Sequence, residues 1–374
     1  MNKILVRIPN WLGDAVMATF ALEILFLRFP QAHFYLVGSA TSIALFAHYP
    51  RVSILEDKSK KAKFRIPSLY RLAKSIPPCD LGFTFQNNFL SALLLYFNGA
   101  KFRAGFAKEM RSFLLTFHPK KPTDIHEASR FARLVESALH SQRFQTQNQN
   151  FESLEIPPKL YLKKPNLQIT LPQHFKDSKI AGINAGAAFG VAKRWEESYF
   201  AQVIWFLLSQ DYKIILFGVQ SENAINDKIL EYLRAIPHFT ESAFQNILNL
   251  SGKTTIESLM AYFLKLNFLL TNDSGPMHIA SALEIPTLAL FGPTNIKETC
   301  PFNAKNSHIL SLETFHQKLP CMPCMQRTCP IPKDSTDYHT CMRNLTPNLV
   351  INKIQSLISE IKIQSTQKLA SEQQ

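Results

Sequence analysis

Four short stretches of this 374-residue chain combine acids, a lysine, hydroxyls and glycines in ways that could do chemistry. The first is "NWLGD", Asn10 to Asp14, directly after the apolar run Ile4–Ile8 and at the start of a helical pattern. A carboxylate in a first helical turn is favoured by the helix dipole and stays ionised, and Gly13 before it lets a ligand approach the backbone. Asp14 can therefore cap a helix or act as a general base, with Asn10 and Trp11 beside it. The second stretch is "NAGAAFGVAKRW", where Asn184, Gly186 and Ala188 precede Lys193 and Arg194. Small residues expose backbone N–H groups to a phosphate, and a lysine adds a compact positive charge. The spacing is not that of a P-loop. In the third, Gly218 ends an apolar run and Glu222 follows, placed either to accept bonds from ribose hydroxyls or to cap a helix. The fourth, "TNDSGPMHIA", sets Asp273, Ser274, Gly275, Pro276, Met277 and His278 at a strand-to-helix corner. Proline's missing N–H costs nothing at a helix start, and the other first-turn N–H groups are free to hold an anion. His278 is either buried or ligand-facing.

The elements that must position these residues alternate. "ILVRI", "HFYLVGS", "VSILED", "LGFTF" and "FRAGF" read as short strands separated by helical spacing, and from Lys179 the alternation restarts with "KIAGINAG", "YKIILFG", "NILNLSG", "FLLTND" and "PTLALFG". Such alternation predicts an α/β fold of two Rossmann-like, doubly wound domains facing across a cleft, because parallel strands need helical crossovers. We expect a first domain over 1–165, a second over 175–345, a helix over 346–363 packing back toward the first domain, and a flexible tail over 364–374. The polar stretch between His140 and Leu160 reads as the linker.

Charge narrows the partners. With 41 Lys+Arg against 28 Asp+Glu the net charge is +13, which favours an anionic partner such as nucleic acid, a membrane surface or a phosphorylated substrate. The chain has no aromatic-plus-basic RNA-binding pattern and no helix-turn-helix, and its densest basic run, Asp57 to Arg65, reads as a solvated loop. No secretory signal precedes the first strand, and no run reaches the ~18 apolar residues of a membrane span. A cytoplasmic protein is expected.

With the four corners in this order, the chain resembles the bacterial lipopolysaccharide heptosyltransferases, ADP-heptose-dependent glycosyltransferases of the GT-B fold. The resemblance is carried by "PNWLGDAVMATFAL", "NAGAAFGVAKRW", "LSGKTTIESLMA" and "TNDSGPMHIASALEIPTLALFGPTN", and covers nearly the whole chain. "AKRW" and the late "CMPCMQRTCP" are similar to the heptosyltransferase II branch, with heptosyltransferase I or another nucleotide-sugar transferase of the cell envelope as the alternative. A basic nucleic-acid-binding protein is the non-enzymatic alternative, disfavoured by acids at the corners. The resemblance implies an inverting transfer of heptose with Asp14 as base, Lys193 on the donor diphosphate, Glu222 on the ribose, Asp273 on heptose hydroxyls, and Ser274, Gly275 and nearby N–H groups on the leaving ADP. No catalytic metal is expected. Adenine is expected around Leu250–Met260. The acceptor would be a lipid A-Kdo-heptose saccharide, with Arg103, Lys108, Arg111 and His126 as candidates for its phosphates. A basic face would hold the enzyme peripherally at the inner face of the inner membrane.

Five of six cysteines lie from Cys300 onward. Cys321, Cys324, Cys329 and Cys341, with His339 nearby, allow a structural zinc, reduced thiols or disulfides. The spacing alone leaves these open.

Overall fold

The computed structural model describes residues 1–108, 110–145, 155–317 and 319–372, with side chains described as far as 359. Much of the expected linker falls outside the described residues. The strands form two separate parallel sheets. The first contains β1 (Lys3–Arg7), β2 (His33–Gly38), β3 (Val52–Glu56), β4 (Leu81–Thr84) and β5 (Phe102–Gly105), in the order β3-β2-β1-β4-β5. The second contains β6 (Lys179–Asn184), β7 (Tyr212–Phe217), β8 (Ile247–Asn249), β9 (Phe268–Asn272), β10 (Thr287–Leu290) and β11 (Ser307–Leu310), in the order β11-β10-β9-β6-β7-β8. Read from β8, the second sheet has the dinucleotide-binding order in which strand order reverses between the first and fourth strands.

Central strands of a parallel sheet are covered by helices on both faces, so they read as apolar runs rather than as alternation. β4, β9 and β10 are buried at every position, and β1 at all but Lys3. Registers such as Ile4 against both Phe34 and Leu81, and Ile183 against both Leu216 and Leu270, place β1 and β6 at the sheet centres. The switch points therefore lie at the C-terminal ends of β1 and β4 and of β6 and β9. All four chemical corners follow strands, and three of those strands, β1, β6 and β9, bound a switch point.

The long helical pattern after β1 is divided. Leu12–Met17 and Thr19–Arg28 are separate helices because Ala18 flattens to ψ −12° and Thr19 Oγ1 donates back to Val16 O at 2.6 Å. The two lobes meet where Leu12–Met17 crosses the helix Gly275–Ala282. A Cβ on Gly13 would stand 2.9 Å from His278 Cδ2, and a Cβ on Gly275 would stand 3.0 Å from Leu12 Cβ. Each lobe thus offers a glycine to a side chain of the other. Phe20 packs on Phe302 at 5.8 Å, and one apolar core runs from Ile4 and Phe131 through to Ile279 and Phe302.

The C-terminal helix corrects two expectations. It runs Pro347–Glu372, well beyond 363, so the region 364–372 is helical. Among the described side chains, Val350, Ile354 and Leu357 join the second-lobe core of Trp195, Phe200 and Ile204, whereas the expectation put this helix toward the first lobe. Its apolar positions recur at helical spacing, which fixes a face but does not name the surface that face meets.

Candidate active site

The first lobe contributes the base. β1 places Arg7 at the switch point, buried and paired with Asp57 at 3.1 Å, and Arg7 Nη2 also donates to Asn10 Oδ1 at 2.9 Å. That tie, with Asn10 N donating to Gln86 Oε1 at 3.0 Å, fixes the turn into the helix that holds Asp14. The Asp14 carboxyl is pushed up to about 6, chiefly by burial and then by the nearby negative charge of Glu127, against the opposing pull of Lys121 and Lys193. A carboxylate in this range is a competent base at neutral pH.

The second lobe contributes a polar lattice across its own switch point. Asn184, at the end of β6, donates to Thr271 Oγ1 and to Ser274 Oγ, each at 3.2 Å. Asn272, at the end of β9, donates back to Ala185 O at 2.7 Å. Lys193 and Asp273 form a buried ion pair at 2.5 Å, the Lys193 ammonium also lies 4.8 Å from the Phe189 ring centre, and Thr294 Oγ1 donates to the same Asp273 oxygen. Thr294 lies in the same motif after β10, but its residue type alone does not single it out. Glu222 lies with its carboxylate against Gly186, where any Cβ would collide with it, and accepts from Val219 N at 3.0 Å. Met277 has its side chain packed with Ala289 and Phe291, so only its backbone stands at the helix start. His278 is buried against Gly13, its Nδ1 has no protein partner, and burial holds its pKa down at about 3. It is a neutral imidazole at working pH.

These corners border a cleft of about 760 Å³ between the lobes. The second lobe supplies Asn184, Gly186, Ala188, Glu222 and Ser274–Pro276, and the cleft continues to Val219, Thr254, Ile256 and Leu259, the segment expected beside adenine. The first lobe supplies Asn10 and Trp11 together with Lys58, Lys60, Lys61 and Arg65. The basic run that reads as a solvated loop is therefore a wall of the cleft. A cavity of this size holds a nucleotide-sugar, and its two walls differ in sign and polarity. Asp14, Lys193 and Asp273 adjoin this cleft without being among the residues that line it.

Three of the expected acceptor residues have polar atoms engaged by the protein itself. Arg111 is 0% exposed and donates to Phe106 O, Gln86 O and Asn87 Oδ1. Arg103 donates to Leu114 O and Ala100 O at 2.7 and 2.6 Å. His126 uses both ring nitrogens: Nδ1 accepts from Ala128 N at 3.1 Å, and Nε2 donates to Cys300 O at 2.7 Å across the lobes. Arginines and histidines near a cleft look alike in sequence, whether they face a ligand or satisfy backbone carbonyls.

All six cysteines are free. Cys321, Cys324, Cys329 and Cys341 border one small cavity, and the Cys341 thiol is pushed up to about 12 by burial and by the three other sulfurs. Among the described residues no group of three or more His, Cys, Asp or Glu is arranged to hold a metal ion. The zinc expectation finds no prearranged coordination sphere.

The family model described as "Glycosyltransferase family 9 (heptosyltransferase)" matches residues 69–334. The chain belongs to glycosyltransferase family 9. This family 9 enzyme is 34% identical over 359 residues to lipooligosaccharide heptosyltransferase 2 of Campylobacter jejuni serotype O:6, covering 95% of this chain and 99% of that one. It is 27% identical to lipopolysaccharide heptosyltransferase 2 of Salmonella typhimurium, covering 96% and 99%. Its fold is that of the solved ADP-heptose LPS heptosyltransferase II of E. coli, with a TM-score of 0.71 and 22% identity over 96% of this chain and 99% of that chain. The fold is GT-B and the protein is a glycosyltransferase. Membership of this family sets aside the nucleic-acid-binding alternative.

Proposed function

We propose that this family 9 enzyme catalyses the heptosyltransferase II reaction, moving L-glycero-D-manno-heptose from ADP-heptose to the first heptose of the lipopolysaccharide inner core with inversion. The observation that carries the reading is the base across from the donor corners: Asp14 stands at the lobe interface, poised near neutrality, within the electrostatic reach of Lys193 and Asp273. In this mechanism the Asp14 carboxylate takes the proton of an acceptor hydroxyl. The resulting oxygen attacks the anomeric carbon, the bond to the β-phosphate oxygen breaks, and its electron pair leaves with ADP. The developing diphosphate charge is met by the N–H groups at the start of Gly275–Ala282, and the Lys193 ammonium, paired with Asp273 next to that corner, adds positive potential. That is the office a divalent metal has in other transferases.

Glu222 fits a ribose, and the apolar stretch Ile256–Leu259 fits adenine. The basic wall of Lys58, Lys60, Lys61 and Arg65 suits an anionic acceptor. Such an acceptor is embedded in a membrane, so we place the enzyme peripherally at the cytoplasmic face. Among the described residues no helix is long and apolar enough to cross one.

The test is transfer from ADP-heptose to heptose-bearing and heptose-free core, with Asp14→Ala as control. Product on the heptose-bearing acceptor alone is expected. Product on the heptose-free acceptor would assign the first transfer instead, and full activity in the variant would remove Asp14 as base.

A further inference from the structure

We propose that Arg327, in the cysteine-rich segment, is an acceptor-binding residue that takes a carboxylate or phosphate of the acceptor saccharide at the mouth of the cleft. The inference rests on the transferase reading above.

Arg327 is an exposed cation in a fixed place. Its guanidinium carbon lies 5.8 Å from the ring centre of Trp11 in the first lobe and 5.6 Å from that of Phe189 in the second. Trp11 lines the cleft and caps the helix that carries Asp14, while Phe189 also lies under the Lys193 ammonium. The guanidinium therefore lies against one aromatic ring from each lobe, each ring adjoining a catalytic corner. Stacking on aromatic faces holds a guanidinium by its faces and leaves its in-plane N–H fork available, and that fork matches a carboxylate or phosphate in two-point contact. Among the described residues Arg327 has no carboxylate partner and no side-chain hydrogen bond.

The backbone under it is anchored as firmly. Arg327 O accepts from Ala192 N at 3.0 Å, immediately before Lys193, and Met325 N donates to Pro293 O at 2.8 Å, next to Thr294. The Arg327 backbone lies so close to Gly190 that a Cβ there would collide with it. His339, buried, donates from Nε2 to Ala192 O at 2.9 Å, and His339 N donates to Cys329 Sγ at 3.4 Å. Cys321, Cys324, Cys329 and Cys341 border one small cavity, and Arg327, in the segment they gather, is the cation that meets rings of both lobes. A loop stitched to both sides of the Lys193–Asp273–Thr294 cluster serves the site, and its exposed arginine is the group it presents.

The experiment compares Arg327→Gln and Arg327→Lys with wild type. Steady-state transfer is measured at varied acceptor, and ADP binding by calorimetry. A charge-assisted two-point contact predicts that Arg327→Gln raises the acceptor KM about ten- to a hundredfold, with Arg327→Lys between and ADP affinity within about twofold of wild type. Acceptor stripped of phosphate and acceptor with its carboxylates reduced form two further arms. The one on which wild type and Arg327→Gln become equal names the anion. An unchanged acceptor KM in Arg327→Gln with transfer intact, or a KM difference that persists on both altered acceptors, overturns the proposal. Loss of ADP binding in the wild type would instead strike the transferase reading itself.

Discussion

At the residue scale the balance around Asp14 makes two opposed predictions. Burial raises its pKa to about 6, so the rate should fall on an acidic limb with a midpoint near that value, and Asp14→Asn should lose about 10²–10⁴-fold in kcat. Stability runs the other way. A carboxyl whose pKa is raised on folding binds its proton more tightly in the native state, so native stability falls as pH rises from about 4 through 6. Asp14→Asn should then be more stable than wild type at pH 7, by about 1–3 kcal/mol, with the gain gone by pH 4. Denaturant melts at the two pH values check this, and equal stability at pH 7 would mean the carboxylate is not strained by its burial. Lys193 and Asp273 form the second unit. Removing one partner leaves the other charge buried, so Lys193→Met should cost about 3–5 kcal/mol, and adding Asp273→Asn should recover part of that loss. Additive losses would show that the pair is not coupled. Asp14 directly follows Gly13, and Lys193 lies three residues past Gly190, each in the corner that follows a strand, which made them legible. Thr294 stands near the end of the motif that holds Asp273, but its bond to Asp273 became visible only when β9 and β10 were adjacent.

At the scale of elements, the crossing of Leu12–Met17 over Gly275–Ala282 sets the distance between base and donor corner. Gly13 faces His278 there, and alanine would have to displace an imidazole ring that is itself fully packed. Overpacking of this kind costs about 1–3 kcal/mol, only partly offset by alanine's helix preference, so Gly13→Ala should lower the melting temperature by a few degrees and kcat at least about tenfold through misplacement of Asp14. Retained kcat would show that the crossing does not set the geometry. Helix and strand identities were readable because parallel sheets impose long apolar runs and crossovers impose helical spacing. The divided first helix was not, since its break comes from Ala18 torsion and a threonine back-bond. The docking of Pro347–Glu372 on the second lobe was not either.

For the whole molecule, part of the basic excess behind the net charge of +13 has a location. Lys58, Lys60, Lys61 and Arg65 gather on the first-lobe wall of the cleft, while His126 to Cys300 O and Arg130 to Glu298, at 3.0 Å, hold the lobes together on another side. A basic surface of this kind should bind vesicles containing anionic lipid in low salt and release them by about 0.5 M salt, where screening shortens to a few ångströms. Co-sedimentation measures it, and equal binding to neutral vesicles would argue for an apolar contact instead.

By itself the sequence determined the α/β class, the two sheets and the strand ends at which Asp14, Glu222 and Asp273 stand, because periodicity and turn chemistry are local properties written in adjacent residues. Only the tertiary structure decided which cations face the cleft. Arg103, Arg111 and His126 turn to backbone carbonyls, whereas the lysines of an ordinary-looking basic run line the cleft and Arg327 stacks between the lobes. An arginine's partner is fixed by whichever acceptor folding brings within about 3 Å, and that acceptor can be hundreds of residues away along the chain.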